Sequence, residues 1–147
     1  MPAHYISDEY AVCGSQALLN VDNTTAASEY IDMSKFHKVV FIGVVKDASA
    51  DTTVDAKIQS ADDGSGTNVT DISGLSITQF TAATTEKEFV IEVRQNQLNT
   101  NDTHVRLVVT AGNGTVGISG GVIAIGYPDA LPASDYDLST VQQIKHL

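Results

Sequence analysis

Hydrophobic and polar residues alternate in several short runs of the chain, and Gly, Asn, Asp or Ser bounds each run. In TTVDAKIQSA, residues 52–61, the positions from Val54 to Ile58 place apolar side chains on one side and Asp, Lys and Gln on the other. KEFVIEVRQNQL, residues 87–98, turns Phe89, Ile91 and Val93 to one side in the same way. Alternation with period two predicts half-buried β-strands.

Other runs predict further strands with less regular patterns. The near-continuous apolar run of HKVVFIGVVKD, residues 37–47, predicts a strand buried on both faces. A Gly-Gly pair at 120–121 predicts a bulge or a close backbone approach. AASEYIDMSKF, residues 26–36, fits a loop or a single helical turn with Tyr30, Ile31 and Met33 as contacts. The remaining predicted strands are SQALLNVDN (15–23), LSITQFT (75–81), HVRLVVTAGNG (104–114) and GTVGISGGVIAIGY (114–127).

Seven or eight strands without an internal repeat predict an all-β fold, a single antiparallel β-sandwich of jelly-roll type. The 147 residues suffice for one core, built mainly from Val, Ile, Leu and Ala because aromatic residues make up only 6%. We expect an N-terminal arm over residues 1–15, a sandwich domain over 16–127 and a C-terminal arm over 128–147. The second arm fits either a short amphipathic helix or an extended tail with evenly spaced anchors.

The charge of the chain excludes some partners. A net charge of −10, with only eight Lys and Arg, predicts no binding to nucleic acid and none to an anionic membrane.

Cys13 is the only cysteine, so no intramolecular disulfide forms. The N-terminal sequence lacks the pattern of a signal peptide. Four N-x-Ser/Thr matches, at Asn23, Asn68, Asn101 and Asn113, are therefore interpreted as loops and not as glycan sites.

No residue pattern predicts catalysis, a metal or a cofactor. The loop DDGSG, residues 62–66, lacks the ligand spacing of an EF-hand and the Gly-Lys-Ser/Thr of a P-loop, so we interpret it as a turn between strands. The four histidines show no metal-ligand spacing. No serine lies in a nucleophile elbow, and the acidic residues of the strands fit solvated faces. The protein is expected not to be an enzyme.

Read together, several segments resemble small capsid decoration proteins, also called cement proteins, of tailed bacteriophages. The resemblance rests on KVVFIGVVKDASADTTVDAKIQSADDGSGTNVTDISGLSITQF, KEFVIEVRQNQL, HVRLVVTAG and PASDYDLSTVQQI, and it covers roughly residues 35–145. It implies a jelly-roll sandwich that binds the outside of a mature capsid as a homotrimer at local threefold positions. The partner would be the major capsid protein, and the location the exterior of the virion, after synthesis in the bacterial cytoplasm.

Isolated apolar anchors in the two polar arms would then contact neighbouring subunits. The candidates are Tyr5, Ile6, Tyr10, Tyr127, Leu131, Tyr136, Leu138, Val141 and Ile144. In a competing hypothesis the C-terminal stretch folds back over its own domain. Two other functions stay open: a receptor- or carbohydrate-binding module of a phage tail or fibre, and a subunit of the tail tube or connector. The absence of Trp weighs against a sugar site.

Overall fold

A computed structural model describes residues 6–129 together with Val141, Gln143 and Lys145. Strands dominate this part of the chain, and helical structure is limited to a four-residue helix and one 3₁₀ turn. In chain order the elements are α1 (Ile6–Glu9), β1 (Ala11–Val21), β2 (Thr24–Ala27), β3 (Ile31–Asp32), β4 (Phe36–Asp47), β5 (Thr53–Ala61), β6 (Thr70–Ser76), β7 (Phe80–Thr81), β8 (Lys87–Arg94), the 3₁₀ turn (Gln95–Gln97), β9 (His104–Gly112) and β10 (Ile118–Pro128).

The strands form two antiparallel sheets that pack as a β-sandwich. Sheet A has the order β1-β10-β4-β8, and sheet B has the order β2-β9-β5-β6, with β3 added beside β9 and β7 beside β5. The two-residue strands β3 and β7 can be left aside and the other eight strands renumbered from 1 to 8 in chain order. The strand order is then 1-8-3-6 in sheet A and 2-7-4-5 in sheet B. This order is a jelly roll, so the predicted fold class is confirmed.

Side chains from the facing sides of both sheets fill the core. Val39, Phe41 and Val45 of β4 are fully buried from sheet A, and Val54 and Ile58 of β5 are fully buried from sheet B. The period-two predictions for β5 and β8 are confirmed. Because inward and outward residues alternate along each strand, the same sequence pattern also fixes which side chains reach the outer faces.

The first strand begins earlier than predicted. β1 starts at Ala11, which pairs with Gly126, so residues 11–15 belong to sheet A and not to an N-terminal arm. A register shift between Val12 and Gly14 leaves Cys13 as an extra residue. This bulge interrupts the period-two pattern, which is why the sequence indicated a later start.

The segment 75–81 is likewise not one strand. β6 ends at Ser76, and the chain rejoins sheet B only at Phe80, which pairs with Val54. Between them the Ile77 amide still donates to the Ala56 carbonyl at 2.9 Å. Segment 26–36 contains no helical turn: the end of β2 is followed by a loop at residues 28–30, the strand β3 and a turn before β4, so the loop alternative holds in part. Its predicted contact residue Met33 is fully buried.

Glycine and asparagine occupy the positions where the backbone is most constrained. A Cβ at Gly120 would lie 1.9 Å from the Val44 carbonyl oxygen, so the predicted close backbone approach is confirmed. The Asn of every N-x-Ser/Thr match has a positive φ, between 47° and 73°. Asn tolerates this left-handed conformation better than other non-Gly residues, which explains its recurrence in these loops. The four sites are Asn23, Asn68, Asn101 and Asn113.

Candidate interaction surfaces

The outer face of sheet A is apolar across its middle. Ile42 of β4 lies opposite Ile123 of β10 on one side and Val90 of β8 on the other, so three aliphatic residues form a row across three strands. A second row begins with Val40, which lies opposite Ile125. We define the apolar face as the outward-facing residues Val12, Val40, Ile42, Val44, Val90, Ile123 and Ile125.

Much of this apolar face is accessible to solvent. Val90 is 61% exposed, Ile123 45% and Val44 36%. A shallow groove of about 330 Å³ runs between β4 and β10, where Gly121, opposite Val44, contributes no side chain. Contiguous exposed apolar surfaces are frequent among the surfaces that contact another molecule, so this face is a candidate interaction surface.

Burial of β4 therefore differs from the prediction. Its inward residues are fully buried, but within the described chain its outer residues Val40 and Ile42 are only half-buried and Val44 is exposed. An unbroken apolar run has the same sequence pattern whether a second layer of its own chain or another molecule covers the outer face. The expected burial on both faces was wrong for the described residues taken alone.

Charged residues on the outer face of sheet A are nearly balanced. The face carries Lys38, Lys46 and Arg94 against Glu88 and Glu92, that is, three of the eight basic residues of the chain but two of its 18 acidic ones. The Glu92 carboxylate lies 3.2 Å from the Arg94 Nε and 3.8 Å from the Lys38 Nζ. Most of the acidic residues whose side chains the structure describes therefore lie outside this face.

The outer face of sheet B is polar, and its side chains bind one another. The Lys57 ammonium lies 2.7 Å from the Asp71 carboxylate, and the Arg106 guanidinium donates to the side-chain oxygen Oε1 of Gln59 at 2.8 Å. Hydrogen bonds from Lys57 and Gln59 lower the pKa of the Asp71 carboxyl. Arg106 also stacks over the Tyr30 ring, 4.8 Å from its centroid, and thus covers one face of that aromatic ring.

An aromatic corner lies at the end of sheet A where the chain enters and leaves it. The Tyr10 and Tyr127 rings approach to 5.5 Å between centroids, and the His37 ring lies 5.9 Å from that of Tyr127. The Lys38 ammonium lies 6.0 Å from the Tyr127 centroid. The His37 Nδ1 lies 3.0 Å from the Asp129 carboxylate. These contacts fasten the exit of β10 to the first residues of β4.

Four of the predicted anchors lie in the described part of the chain. Tyr10 and Tyr127 meet in the aromatic corner, whereas Ile6, on α1, is 79% exposed and Val141 is half-buried. The other five anchors lie outside the described residues: Tyr5, Leu131, Tyr136, Leu138 and Ile144. The contact between Tyr10 and Tyr127 was not predictable from spacing, because it depends on the pairing of β1 with β10.

The DDGSG loop is the turn between β5 and β6. The Asp63 carboxylate accepts hydrogen bonds from the Ser65 amide at 2.9 Å and from the Thr67 hydroxyl at 2.7 Å. The side-chain hydrogen bond from Thr67, with the backbone one, lowers the pKa of the Asp63 carboxyl below its ordinary value. The carboxylate is therefore engaged within the turn, and the interpretation of this loop as a connector is confirmed.

A second aspartate, Asp47, is buried and caps the largely exposed loop between β4 and β5. Asp47, at the end of β4, is 1% exposed, and it accepts hydrogen bonds from the amides of Ser49, Asp51 and Thr52 at 2.8 to 3.0 Å. Burial raises the pKa of the Asp47 carboxyl, but hydrogen bonds from Thr52 and Ser49 lower it by more, so its pKa lies far below the ordinary value. This carboxylate is a structural cap.

Other polar groups of the described chain are also engaged in local structure. The Ser60 hydroxyl donates to the Asp102 carboxylate and accepts from the Asn99 amide at 2.9 Å. The Cys13 thiol is half-buried, 3.6 Å from the Ala124 carbonyl oxygen. Over residues 6–129 no three His, Cys, Asp or Glu side chains are grouped as metal ligands would be. Within the same range no helix has the length and apolarity of a membrane span.

Comparison with known proteins gives only distant similarity to solved structures. No protein-family model matches it, and no curated protein does. Among solved structures, the CBM22-1–GH10 modules of Clostridium thermocellum xylanase 10B are 14% identical with a TM-score of 0.44, over 80% of this chain and 26% of that one. A CBM4 structure is 10% identical with a TM-score of 0.40, over 86% and 88% of the two chains.

A third structure, that of infectious bursal disease virus strain Gt, is 14% identical with a TM-score of 0.43, over 84% of this chain and 33% of that one. None of these three is described as a capsid decoration protein, so the role that the sequence resemblance implies stays a prediction. Since jelly rolls carry many unrelated functions, the function has to be argued from the surfaces described above.

Proposed function

We propose that the protein is a non-catalytic structural protein that binds the outside of a mature phage capsid. As a homotrimer at local threefold positions, it would bridge subunits of the major capsid protein and thereby stabilise the shell. The segments quoted above, from TTVDAKIQSADDGSG to PASDYDLSTVQQI, supply the resemblance that supports this partner.

The observation that carries a role in protein contact is the apolar face of sheet A. Its exposed aliphatic side chains, such as Val90 and Ile123, form a continuous row with Ile42 across β8, β4 and β10. Flat aliphatic surfaces gain free energy when another protein excludes water from them. The buried carboxylate of Asp47 is held by hydrogen bonds from loop amides and is not available for catalysis. Together with the apolar face, this supports a role in assembly rather than in catalysis.

The aromatic corner supports a further part of the proposal. Tyr10 and Tyr127 bring the two ends of the described domain to one corner of sheet A, so segments that extend from both ends would leave the domain at the same place. Several weak contacts from one small domain add up through effective concentration once the first contact is made. We infer that this corner directs the terminal segments toward the neighbouring subunits.

The proposal is tested by cosedimentation of the full chain with expanded, undecorated capsids and with unexpanded procapsids of the parent phage. Saturable binding to expanded shells alone is the expected result, and the plateau counts the sites on each shell. Binding to neither particle would refute the capsid role. Equal binding to both would refute its restriction to the mature shell.

The aromatic corner favours a second candidate, a carbohydrate-binding module of a phage tail or fibre. Sugar sites combine aromatic rings with convergent polar groups, and here Tyr10 and Tyr127 lie beside His37, Lys38 and Asp129. Screening against immobilised glycans tests this candidate. Binding that Tyr127→Ala abolishes and Val90→Ala leaves intact would support it, whereas no binding to any glycan would remove it.

A further inference from the structure

We infer that the open edge of β8 binds residues 138–147 of a neighbouring copy as an added strand of sheet A. We call these residues, LSTVQQIKHL, the donor segment. The inference deepens the proposed function: it rests on the homotrimer and names the contact that joins one copy to the next. Backbone hydrogen bonds at a sheet edge carry this contact, and the apolar face is left for the capsid.

β8 forms one edge of sheet A and pairs with β4 along its whole length without a register shift. In an antiparallel pair, hydrogen-bonded positions alternate with positions whose N–H and C=O groups point to the other side. The Arg94 amide donates to the Gln97 side chain at 2.8 Å, so Arg94 is a position of the second kind. By the same alternation, the backbone groups of Glu88, Val90 and Glu92 point outward from the edge.

A second hydrogen bond confirms this orientation independently. The Asp47 amide of β4 donates to the Ala83 carbonyl at 2.8 Å, in the connection that leads into β8. Odd-numbered residues of β4 therefore direct their backbone groups toward β8, and they lie opposite the odd-numbered residues of β8. Within the described domain, the outward amides and carbonyls of Glu88, Val90 and Glu92 have no hydrogen-bond partner.

The other sheet edges of the described domain are short, irregular or covered. β2 has four residues and β3 has two, and β1 is interrupted by two register shifts. β6 has a register shift too, and the Asn99 side chain lies along it, donating to the Thr70 hydroxyl at 2.8 Å. β8 is thus the long, regular edge of the described domain, and such an edge is a template for pairing with an extended chain.

The donor segment has the composition of an added strand. Residues 128–137, PDALPASDYD, contain two Pro and three Asp and suit a spacer, whereas the donor segment contains no Pro, Gly, Asp or Glu. Its Thr, Val and Ile favour strands. Its described residues Val141, Gln143 and Lys145 lie in neither a helix nor a strand of their own chain. The segment is therefore available to another copy.

Charge also favours this donor. The donor segment carries Lys145 and His146 and no acidic residue, in a chain whose net charge is −10. β8 presents two carboxylates at its outer face, and that of Glu92 is already paired with Arg94 at 3.2 Å. The exposed Glu88 carboxylate is left for a cation on the added strand, and opposite charges on neighbouring strands stabilise their pairing.

The exit of the chain allows the segment to reach a neighbour. Tyr127 lies opposite Lys38, which lies opposite Arg94, so β10 leaves the sandwich at the end of sheet A where β8 also ends. The ten spacer residues extend over at most roughly 33 Å. A donor and an acceptor at different places on one chain make a head-to-tail contact, which closes into a ring when the rotation between copies permits. A ring of three is the homotrimer of the proposed function.

The test is sedimentation velocity of the full chain from about 5 to 500 µM, a range that brackets a micromolar dissociation constant. Val90→Pro removes the outward amide N–H of the acceptor but no bond of the β4–β8 ladder, and proline is tolerated at such edge positions. Val90→Thr keeps the N–H and is the matched control. Gln142→Pro, with Gln142→Thr as its control, disrupts the donor in the same way.

We expect the wild type, V90T and Q142T to form trimers as the concentration rises. In V90P and Q142P the dissociation constant should rise at least about tenfold, which corresponds to about 1.4 kcal/mol, in the range of one lost hydrogen bond. V90P keeps an intact donor and Q142P an intact acceptor. An equimolar mixture of the two should therefore form a 1:1 complex that does not grow to three copies.

Several outcomes would overturn the inference. They are a wild type that stays monomeric at the highest concentration, assembly that stops at two copies, assembly of V90P and Q142P equal to that of the wild type, and a mixture that stays monomeric. Equal weakening in V90P and V90T would assign the contact to the side chain and not to the backbone edge.

Two controls keep the test decisive. Far-UV circular dichroism checks folding, and if V90P does not fold, Q142P and Q142T retain the test because residue 142 lies beyond the last strand of the sandwich. Cosedimentation with expanded capsids is scored separately. Trimers that do not bind capsids refute only the proposed function, and capsid binding by a strictly monomeric wild type refutes only this inference.

Discussion

Replacement of Asp47 by alanine is expected to lower the free energy of unfolding by about 3 kcal/mol. The carboxylate is 1% exposed and accepts hydrogen bonds from three backbone amides of the following loop, and one of these, that of Thr52, belongs to a fully buried residue. An orphaned buried donor costs about 1–3 kcal/mol, and the lost charge-assisted bonds to Ser49 and Asp51, which water partly replaces, add about 1 kcal/mol. For a chain of this length the melting temperature would fall by about 10 °C.

The same substitution has a predictable dependence on pH. The pKa of Asp47 in the folded protein lies below its ordinary value near 3.8, so the folded state binds this proton less readily than the unfolded state does. Its stabilising effect is therefore complete above the unfolded pKa and is lost as the pH falls below it toward the folded pKa. The difference in stability between wild type and D47A should stay constant from pH 7 down to about pH 5 and shrink below pH 3.8.

Urea and thermal unfolding followed by far-UV circular dichroism measure both effects, since the chain contains no Trp for fluorescence. Asp63→Ala is the matched control: Asp63 makes a similar set of hydrogen bonds to Ser65 and Thr67, but in an exposed turn where water replaces them. Its loss of stability should be much smaller. Equal losses in D47A and D63A would refute the argument that burial of Asp47 and of the Thr52 amide determines the cost.

Three further predictions concern packing, the aromatic corner and the C-terminal segment. Gly43→Ala should destabilise the fold by roughly 1–3 kcal/mol in urea unfolding, because the added Cβ would lie 2.2 Å from the Phe89 ring. Gly112→Ala is the control: its Cβ would lie 3.4 Å from the nearest atom, the Thr53 Oγ1, so this substitution should be nearly neutral. A double-mutant cycle of Tyr10→Ala and Tyr127→Ala should give a coupling of about 0.5–1.5 kcal/mol, and none if the ring contact is absent. Deletion of residues 132–147 should leave a folded domain that cosediments more weakly with capsids, and an unfolded product would contradict this.

The sequence pattern was most informative where a strand has one buried and one solvated face. β5 and β8 alternate strictly, so the inward placement of residues such as Val54 and Val93 could be predicted from spacing. The start of β1 could not, because the bulge at Cys13 shifts the alternation by one residue. Nor could the outer face of β4, since apolar residues on both sides of a strand do not specify whether its own chain or another molecule covers them.

Candidate sites depend on strand pairing, which spacing along the chain does not give. Tyr10 and Tyr127 were each predicted as anchors, but only the pairing of β1 with β10 places their rings 5.5 Å apart. The apolar face of sheet A likewise arises from three strands that are distant in sequence, so its residues Ile42, Val90 and Ile123 were recognised only as strand formers. A helpful signal was present in the outward positions of β4 and β10, which are aliphatic where solvated strands carry polar residues.

The outer face of sheet A is apolar across its middle and the outer face of sheet B is polar, so the two sides of the sandwich interact differently with water. If copies are laid on a particle with sheet A turned inward, the surrounding medium meets the charged and amide side chains of sheet B, among them Asp55, Lys57 and Gln59. The carboxylates of Asp55 and Asp71 on sheet B then face the medium. Coated particles would migrate faster toward the anode than bare ones and would repel one another, so the coat would keep them dispersed.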